Sequence, residues 1–333
     1  MNICVLGAGS WGTTLALIMA QRGHQVNLWE FRAEAVRRLQ TDRENREFLP
    51  GHPFPPQLQA TNDIHRAVDG AEICIVAVPS HAVRSTARRL PDGPPHGATI
   101  ISATKGIEER TLLRMSEVMT EVWGDKLSPD RFVCLSGPSH AEEVILGLPT
   151  SVVAASANIH TAREIQRLMS NDRFRVYAHN DLIGVELGGS LKNVIAIAAG
   201  VSAGLGFGDN TTGALLTRGL AEISRLGQHL GGKALTFAGL SGMGDLITTC
   251  CSRHSRNRYV GEQIGKGRKL KEVLDGMVMV AEGVRTTASA YELALREGIE
   301  MPITLQVYRV LFEGADPREA TIELMTRELK QEC

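Results

Sequence analysis

The chain has 333 residues, a length that favours two domains of roughly 100–200 residues each over one compact core. Hydrophobic residues make up 43% of the sequence and charged residues 22%, which is typical of a globular protein. Lys plus Arg (36) nearly balances Asp plus Glu (37), so no overall field favours nucleic acid or an anionic membrane. Neither is expected as a partner, and an anionic substrate would need a local cluster of cations.

Two apolar segments resemble targeting or membrane segments in composition but lack their other features. The N-terminal one lacks the basic region of a signal peptide and contains three glycines within its first twelve residues. The longest later run, Val194–Gly208, is too short and too rich in Gly and Ala to span a bilayer. We expect a protein without membrane insertion that stays in the cytoplasm.

The cysteine pattern predicts reduced thiols. No pair has the spacing of a zinc site, and three of the six lie in apolar, strand-like runs. The six are Cys4, Cys74, Cys134, Cys250, Cys251 and Cys333.

The first half of the chain alternates short apolar runs with helical patterns. The runs are mostly continuous rather than alternating, as in strands covered on both faces, so a doubly wound, mostly parallel sheet is predicted. The predicted strands are Ile3–Leu6, Val26–Glu30, Ile73–Val78, Thr99–Ser102, Phe132–Ser136, Ser151–Ala155 and Phe174–Ala178. The predicted helices are Thr13–Arg22, Ala33–Asp42, His81–Leu90, Thr111–Val122 and Thr161–Asn171.

From about Asp181 strand-like runs stop and helical patterns separated by glycine-rich breaks take over. These helices are predicted over Leu182–Ala203, Ala214–Gly227, Leu270–Leu274, Thr286–Glu297 and Ile303–Glu313. The sequence therefore predicts an α/β Rossmann-type domain over residues 1–180 and an all-α domain over residues 181–333.

The turn Gly7-Ala8-Gly9-Ser10-Trp11-Gly12 joins the first predicted strand to the first helix. In this context Gly7 permits the tight turn, Gly9 lets the backbone approach a pyrophosphate, and Gly12 allows the helix to pack closely on the sheet. Free N–H groups at the positive end of the helix would hold the pyrophosphate. The turn predicts a nicotinamide dinucleotide site, with a purely structural glycine turn as the alternative.

The end of the second strand leaves the choice of dinucleotide open. Glu30 lies where an acidic residue binds the ribose 2′-OH of NAD, whereas Arg32 is placed to hold the 2′-phosphate of NADP. Either residue is also explained as a solvated surface charge. The cofactor is predicted to be NAD or NADP.

Two lysines have unusual surroundings. Lys105 follows a predicted parallel strand at its carboxyl end, the edge where ligands bind in such sheets. Lys192 shares one helical face with Gly188 and Gly189, and two glycines inside a helix predict a flat group, such as a nicotinamide ring, against the backbone. Burial there would lower the pKa of Lys192 toward the range useful for proton transfer. A surface lysine and tight helix packing are the respective alternatives.

A third polar segment supplies the local anion site that the balanced charge requires. Asp245 and Thr249 are four residues apart, so both would face one site on a helix. Ser255, Arg256 and Asn257 resemble a helix start whose N–H groups and guanidinium hold a phosphate, or else an exposed basic turn.

Other chemistries find less support in the sequence. It has no HExxH motif and no close His/Asp/Glu cluster, so no catalytic metal is predicted. His81, His140 and His179 are favoured as structural residues. The turn Ser136-Gly137-Pro138-Ser139 is not a GxSxG elbow, which argues against an α/β-hydrolase.

Taken in order, several motifs resemble those of bacterial NAD(P)-dependent glycerol-3-phosphate dehydrogenases, and they span nearly the whole chain. They are GAGSWG at 7–12, VPSH at 78–81, ATKG at 103–106, SGPS at 136–139, GGSLKNVIAI at 188–197, RGLAE at 218–222, GLSGMGDL at 239–246, SRNR at 255–258 and EG at 282–283. The resemblance implies reversible reduction of dihydroxyacetone phosphate to sn-glycerol 3-phosphate for glycerophospholipid synthesis, and a homodimer.

The resemblance also implies site residues. Those implied for the cofactor are Ser10, Trp11, Arg32, Lys105, Ala141, Arg256, Val280 and Glu282, with Phe31 and Phe48 flanking the adenine or pyrophosphate. Those implied for the substrate are Lys105, Gly137, Ser139, Lys192, Asp245, Ser255, Arg256 and Asn257. Lys192 matches the proton acceptor. Ser139 stands where threonine is common but keeps the hydroxyl, and Glu30 beside Arg32 departs from the usual pattern.

The expected mechanism pairs proton transfer by Lys192 with hydride transfer at C2 of the substrate. Asp245 would orient Lys192 with support from Asn193 and Thr249, and Lys105 would bridge substrate and cofactor. The sequence leaves two alternative functions open. One is another dehydrogenase of the same architecture acting on a 3-hydroxy acid or sugar acid, and the other is a dinucleotide-binding sensor without catalysis.

Overall fold

A computed structural model describes residues 1–329 and 331–332, and its first half is built on one eight-stranded sheet. The strands are Asn2–Leu6 (β1), Gln25–Trp29 (β2), Leu58–Thr61 (β3), Ile73–Val76 (β4), Thr99–Ser102 (β5), Phe132–Ser136 (β6), Thr150–Ala155 (β7) and Phe174–His179 (β8). Their order is β3-β2-β1-β4-β5-β6-β7-β8, and every neighbouring pair is parallel except β6 with β7. The predicted doubly wound, mostly parallel sheet is confirmed.

Helices cover both faces of this sheet. Those of the first half are Ser10–Gln21 (α1), Ala33–Asp42 (α2), Ile64–Val68 (α3), Val83–Ala87 (α4), Met115–Trp123 (α5), Ala141–Ile145 (α6) and Ile159–Met169 (α7). One apolar core packs α1, α2 and α7 on one face, and a second core packs α3, α4 and α5 on the other. Both faces of the central strands are therefore buried, which explains their continuous apolar sequences.

After β8 the described chain is helical throughout. Its helices are Leu182–Gly204 (α8), Asp209–His229 (α9), Ala234–Phe237 (α10), Asp245–Cys251 (α11), Arg256–Gly265 (α12), Leu270–Asp275 (α13), Glu282–Glu297 (α14), Pro302–Tyr308 (α15) and Pro317–Met325 (α16). Helix α8 lies at the centre and packs against α9, α11, α12 and α14. The expected all-helical second half is confirmed.

Several predicted boundaries were wrong. Strand β3 was missed, because its four residues Leu58-Gln59-Ala60-Thr61 are too few for a clear pattern and follow a proline-rich loop. The helix predicted over 81–90 is a 3₁₀ turn followed by the short α4. The helix predicted from Thr111 begins only at Met115, after an Ile107–Arg114 bridge. The one predicted over 303–313 ends in a π-helical turn.

Glycines bring α8 and α12 into backbone contact. A Cβ atom at Gly200 would lie 2.0 Å from the Arg258 carbonyl oxygen, and one at Gly261 would lie 2.0 Å from the Ile197 carbonyl oxygen. Since no side chain fits between the helices, α12 runs directly along α8. This contact places the first turn of α12 beside Lys192 and Asn193.

Two helical stretches are long and apolar enough to cross a membrane by length and composition alone. They are Leu182–Gly204 and Ala234–Cys251, and within the apolar 18-residue window of each, 83% and 44% of the residues are buried inside the protein. The first is the central helix α8 of the second half, and its apolar sequence is explained by burial on all sides.

The cysteines of the described chain are free thiols. Cys4 and Cys74 face each other on neighbouring parallel strands, and Cys134 is buried in β6. Cys250 is buried and Cys251 exposed in α11. Cys333 lies outside the described residues.

Candidate active site

A cavity of about 690 Å³ opens along the carboxyl ends of β1, β2, β4 and β5 and is closed on the other side by α8, α11, α12 and the start of α14. This is the edge of a doubly wound sheet at which ligands bind. The predicted site residues that line it are Gly7, Gly9, Ser10, Trp11, Phe31, Arg32, Phe48, Lys105, Ser139, Ala141, Lys192, Asp245, Ser255, Arg256, Asn257, Val280 and Glu282.

Two predicted residues, Gly12 and Gly137, do not line the cavity and act from beneath its wall. A Cβ atom at Gly12 would lie 1.9 Å from the Gly7 carbonyl oxygen, so Gly12 lets α1 start directly under the turn. Gly137 has φ of +129°, and its carbonyl accepts hydrogen bonds from Lys105 Nζ and Ser139 Oγ, both at 3.0 Å.

The glycine turn leaves space and donors for a phosphate group. Gly7 has φ of +114°, and a Cβ atom there would lie 2.8 Å from the Ala77 carbonyl oxygen. A Cβ atom at Gly9 would meet no atom of the described chain within 4 Å. No side chain caps α1, so the N–H groups of its first turn stay available to a ligand. These features fit a dinucleotide pyrophosphate.

Aromatic and charged side chains surround the far end of the cavity. The Arg32 guanidinium lies 5.9 Å from the ring centre of Phe31 and 5.7 Å from that of Phe48. It also forms ion pairs with Glu30 at 2.8 Å and Glu47 at 3.1 Å. Phe31 is 64% exposed, although it is a large apolar side chain, so it is free to cover a ligand.

At the other end, one carboxylate holds both predicted lysines. Asp245 Oδ2 lies 2.6 Å from Lys105 Nζ, and Asp245 Oδ1 lies 3.1 Å from Lys192 Nζ. Lys192 Nζ also donates to Thr249 Oγ1 at 2.6 Å, and that hydroxyl in turn donates to Asp245 Oδ1 at 3.2 Å. The predicted Asp245–Thr249 face of a helix is confirmed, and it fixes the direction of the Lys192 ammonium.

Burial sets the proton affinity of these groups. It lowers the pKa of Lys192 to about 8, although the Asp245 charge acts in the opposite direction. Burial raises the pKa of Asp245, but the charges of Lys105 and Lys192 outweigh this and hold it below its ordinary value. A lysine with this pKa is able both to donate and to accept a proton near neutral pH, and the lowered pKa of Asp245 favours its anionic form. The expected lowering of the Lys192 pKa is confirmed.

The explanation offered for Gly188 and Gly189 was wrong. A Cβ atom at Gly188 would lie 2.9 Å from the Ser241 carbonyl oxygen, and one at Gly189 would lie 2.4 Å from Ser136 Oγ. The glycines therefore let α8 pack against β6 and against the π-helical turn Leu240–Gly244, instead of facing a nicotinamide ring. This close packing holds Lys192 over the sheet edge.

Helix α12 begins at the cavity wall as the sequence predicts. Ser255 is its N-cap, and the Ser255 hydroxyl accepts a hydrogen bond from Arg258 N at 3.2 Å. Asn257 Nδ2 donates to Asn193 Oδ1 at 2.9 Å, and Asn257 Oδ1 accepts from Gly283 N at 2.9 Å. Asn193 was expected to support Lys192, but in the described chain it bonds to Asn257 and so fastens α12 to α8.

Arg256 has no acidic partner, whereas Arg32 in the same cavity has two. Within residues 1–329 and 331–332, no carboxylate lies within ion-pair distance of its guanidinium. Glu142 and Glu282 are the acidic residues whose charge reaches it. An unpaired guanidinium beside the first turn of a helix is a site for an anion such as a phosphate.

Glu282 has a structural partner that the sequence did not reveal. Its carboxylate accepts hydrogen bonds from Ser80 N at 3.0 Å and Ser80 Oγ at 2.5 Å. The contact joins the loop after β4 to the start of α14, across the cavity. The VPSH and EG motifs are about 200 residues apart in the sequence, and the fold brings them into hydrogen-bonding contact.

Two histidines that were expected to be structural lie at the cavity instead. His81 and His140 were favoured as structural but line the cavity, and the His140 ring lies 6.0 Å from that of His254. Burial and the Lys192 charge lower the pKa of His140. His179 lies elsewhere, and its Nδ1 accepts a hydrogen bond from Asp181 N at 2.9 Å. No signal in the sequence separates these roles, because each is an isolated histidine.

Comparison with known proteins agrees with this geometry. The sequence profile of the NAD-dependent glycerol-3-phosphate dehydrogenase N-terminus matches residues 2–162, and that of the C-terminus matches residues 181–322. The chain belongs to the NAD-dependent glycerol-3-phosphate dehydrogenase family.

Relatives of this family match the chain over its whole length. The glycerol-3-phosphate dehydrogenase [NAD(P)+] of Chlorobium limicola is 52% identical over 333 residues, which is 100% of this chain and 99% of the relative. That of Geobacillus thermodenitrificans is also 52% identical, over 99% and 96% of the two chains. The crystal structure of glycerol-3-phosphate dehydrogenase from Coxiella burnetii is 40% identical, with a TM-score of 0.94 over 98% of this chain and 99% of that one.

Proposed function

We propose that this chain catalyses the reversible reduction of dihydroxyacetone phosphate to sn-glycerol 3-phosphate with NADH or NADPH, and so supplies glycerophospholipid synthesis. The observation that carries the proposal is the pairing of a buried lysine with an unpaired arginine in one cavity. Lys192 is 5% exposed and bonded to Asp245 and Thr249, and Arg256 lies on the wall beside it without an acidic partner. The family's relatives are named for this reaction.

The dinucleotide would lie along the turn Gly7–Gly12. The first-turn N–H groups of α1 would hold its pyrophosphate, while Phe31, Arg32 and Phe48 would surround the adenosine end. Its nicotinamide, when bound, supplies or accepts the hydride. Ser10, Trp11, Ala141, Val280 and Glu282 would complete the wall around it.

The phosphate of the substrate would bind at the start of α12. Arg256 and the N–H groups of the first turn supply positive charge, while Ser255 and Asn257 keep that turn in place through their own hydrogen bonds. Binding of this remote group aligns the reacting carbon with Lys192. Gly137 and Ser139 would border the same substrate from the sheet side.

Lys192 would move the proton at the substrate oxygen. In reduction its ammonium donates a proton to the oxygen on C2 and stabilises the charge that develops there. In oxidation the neutral amine accepts the proton from the alcohol. Asp245 holds both Lys192 and Lys105, and Lys105 would lie between the substrate and the cofactor.

The test is an assay of purified protein with dihydroxyacetone phosphate, a 3-hydroxy acid and a sugar acid, each with NADH and NADPH. Oxidation of the reduced dinucleotide by dihydroxyacetone phosphate alone supports the proposal. Preference for either acid would replace it with the rival dehydrogenase. Dinucleotide binding without turnover of any substrate would instead make the protein a sensor.

We further propose that the chain forms a homodimer in the cytoplasm without membrane insertion. We also propose that the boundary between the Rossmann-type domain and the helical domain lies near residue 180, because β8 ends at His179 and α8 begins at Leu182. Light scattering of the purified protein would test the dimer.

A further inference from the structure

Four charged side chains form a network at the adenosine end of the cavity, here called the ribose-edge cluster: Glu30, Arg32, Arg38 and Glu47. The cluster lines a small hollow of about 50 Å³ that shares Ala8, Glu30, Arg32 and Phe48 with the main cavity. Glu30 follows β2, the position from which a Rossmann domain reaches the ribose of its dinucleotide. The hollow therefore lies where the 2′ substituent of the ribose would be.

The network leaves neither arginine free. Arg32 Nε lies 2.8 Å from Glu30 Oε1, and Arg32 Nη1 lies 3.1 Å from Glu47 Oε1. The other oxygen of Glu47 lies 2.9 Å from Arg38 Nη2. Arg38 is also 3.4 Å from Glu34, which is 82% exposed on the outer side. Glu47 thus links the two arginines that a 2′-phosphate would need.

Glu47 is held in this position by the fold. It lies in a loop fastened by Asn45, which is 2% exposed. Asn45 Nδ2 donates to the Ala8 carbonyl and to Thr13 Oγ1, both at 2.8 Å, and Asn45 Oδ1 accepts from Phe48 N at 3.2 Å. The carboxylate of Glu47 is therefore preorganised against the arginines and does not depend on a ligand.

The charge around the hollow is negative. Its arginines are Arg32, Arg38 and Arg46, and its acidic residues are Glu30, Asp42, Glu44 and Glu47, so three positive charges face four negative ones. A phosphate dianion would add to this excess and would have to break ion pairs that already exist. A ribose hydroxyl carries no such cost.

Glu30 also keeps one oxygen for a ligand. It is 6% exposed, and the hydrogen bonds from Arg32 N and Arg32 Nε both go to Oε1. In the described part of the chain Oε2 of Glu30 accepts no hydrogen bond, and Glu30 is one of the residues that line the cavity. A carboxylate oxygen accepts a hydrogen bond from a ribose hydroxyl but repels a phosphate.

We propose that Glu30 and Glu47 together make this enzyme prefer NADH to NADPH. Oε2 of Glu30 accepts a hydrogen bond from the ribose 2′-hydroxyl. The ion pairs of Glu47 with Arg32 and Arg38 leave neither guanidinium available to a 2′-phosphate. Glu47 is then a specificity-determining residue although it lies fifteen positions beyond Arg32 in the sequence. The proposal rests on the proposed function, because it concerns the dinucleotide of that reaction.

The experiment measures equilibrium binding of NADH and NADPH to the full chain, and kcat/KM for both with dihydroxyacetone phosphate. The variants are Glu47→Gln, Glu30→Gln and, as matched control, Glu34→Gln, which removes an ion pair with Arg38 on the solvent side. Glutamine keeps the size of the side chain and removes only its charge. Thermal unfolding of each variant checks the fold.

We expect the unmodified enzyme to bind NADH at least about tenfold more tightly than NADPH. Glu47→Gln lowers this ratio about three- to tenfold through tighter NADPH binding, with little change for NADH. Glu30→Gln lowers the ratio further and also weakens NADH binding. Glu34→Gln leaves it unchanged.

Equal or tighter binding of NADPH by the unmodified enzyme overturns the preference. A Glu47→Gln ratio that matches that of Glu34→Gln overturns the role of Glu47. Failure of both dinucleotides to bind would overturn the proposed function itself, which separates the two conclusions.

Discussion

The two arginines at opposite ends of the cavity, Arg32 and Arg256, have the same side chain but different surroundings. Arg32 pairs with Glu30 and Glu47, so its charge is already neutralised. Arg256 has no ion-pair partner in the described chain and is the first residue of α12. An arginine therefore indicates an anion site only when its acidic neighbours are known, and sequence spacing alone does not supply them.

The largest effect on the reaction rate is expected at Lys192, which lines the same cavity as the two arginines. Changing Lys192→Met removes the proposed proton donor, so kcat should fall about a hundred- to ten-thousandfold in either direction of the reaction. Steady-state kinetics with saturating dinucleotide measures this, and Lys271→Met, at an 86% exposed lysine, is the control.

Loss of the Lys192 charge also leaves Asp245 with one partner fewer, so the fold must be checked. Retained dinucleotide binding and a cooperative thermal transition would show that the variant is folded. A folded Lys192→Met protein with near-normal kcat would exclude Lys192 as the proton donor.

The second-largest effect is expected at Arg256, the arginine without an ion-pair partner. Arg256→Gln should lower kcat/KM for dihydroxyacetone phosphate about 30- to 150-fold, because a charge-assisted contact with phosphate contributes about 2–3 kcal/mol. Dinucleotide affinity should change much less.

Arg258→Gln is a matched control for Arg256, because Arg258 lies on the same helix but pairs with Glu262 at 3.4 Å. If both variants lose substrate affinity equally, the unpaired state of Arg256 is not what binds the phosphate, and the comparison between paired and unpaired arginines fails.

A smaller effect follows from the pKa of Lys192, which burial lowers to about 8. Reduction needs the ammonium form, so kcat/KM for dihydroxyacetone phosphate should fall about tenfold per pH unit above that value. Oxidation of glycerol 3-phosphate needs the neutral amine and should rise with pH up to it. Asp245→Asn removes a charge that raises the pKa of Lys192, so both profiles should move to lower pH.

These profiles are measured in kcat/KM for the phosphate substrate with saturating dinucleotide at each pH, which reports ionisations of the enzyme–dinucleotide complex. A reduction profile that stays flat from pH 7 to beyond about 9 would mean that the ionisation of Lys192 does not control the rate.

Much of the fold was predictable because its signals are local. The continuous apolar runs of β1, β4, β5 and β6 indicated strands buried on both faces, and the glycine turn at 7–12 indicated a strand–helix junction. Strand β3 was not predictable, since its four residues belong to the sheet only through pairing with β2.

The site was predictable residue by residue but not in its pairings. Lys105, Lys192 and Asp245 were each identified, yet their shared carboxylate joins positions 140 and 53 residues apart. The Ser80–Glu282 bonds and the ribose-edge cluster are likewise contacts between segments. The glycine pair at 188 and 189 shows the opposite error, because a local pattern was attributed to a ligand when a neighbouring strand and turn explain it.

The smallest effect is expected at Arg32, the arginine that already has two ion-pair partners. Arg32→Gln should change the affinity for NADH by less than about fivefold, or about 0–1 kcal/mol, because the charge removed is already balanced by Glu30 and Glu47 and NADH has no 2′-phosphate that would take their place. Titration with NADH, with Arg256→Gln measured beside it for dihydroxyacetone phosphate, compares the two arginines in one preparation. A large loss of NADH affinity would mean that Arg32 leaves its two carboxylates when the dinucleotide binds. In that case the ion pairs of the free enzyme do not decide which anion is bound, and the partners of an arginine would have to be read from the liganded state.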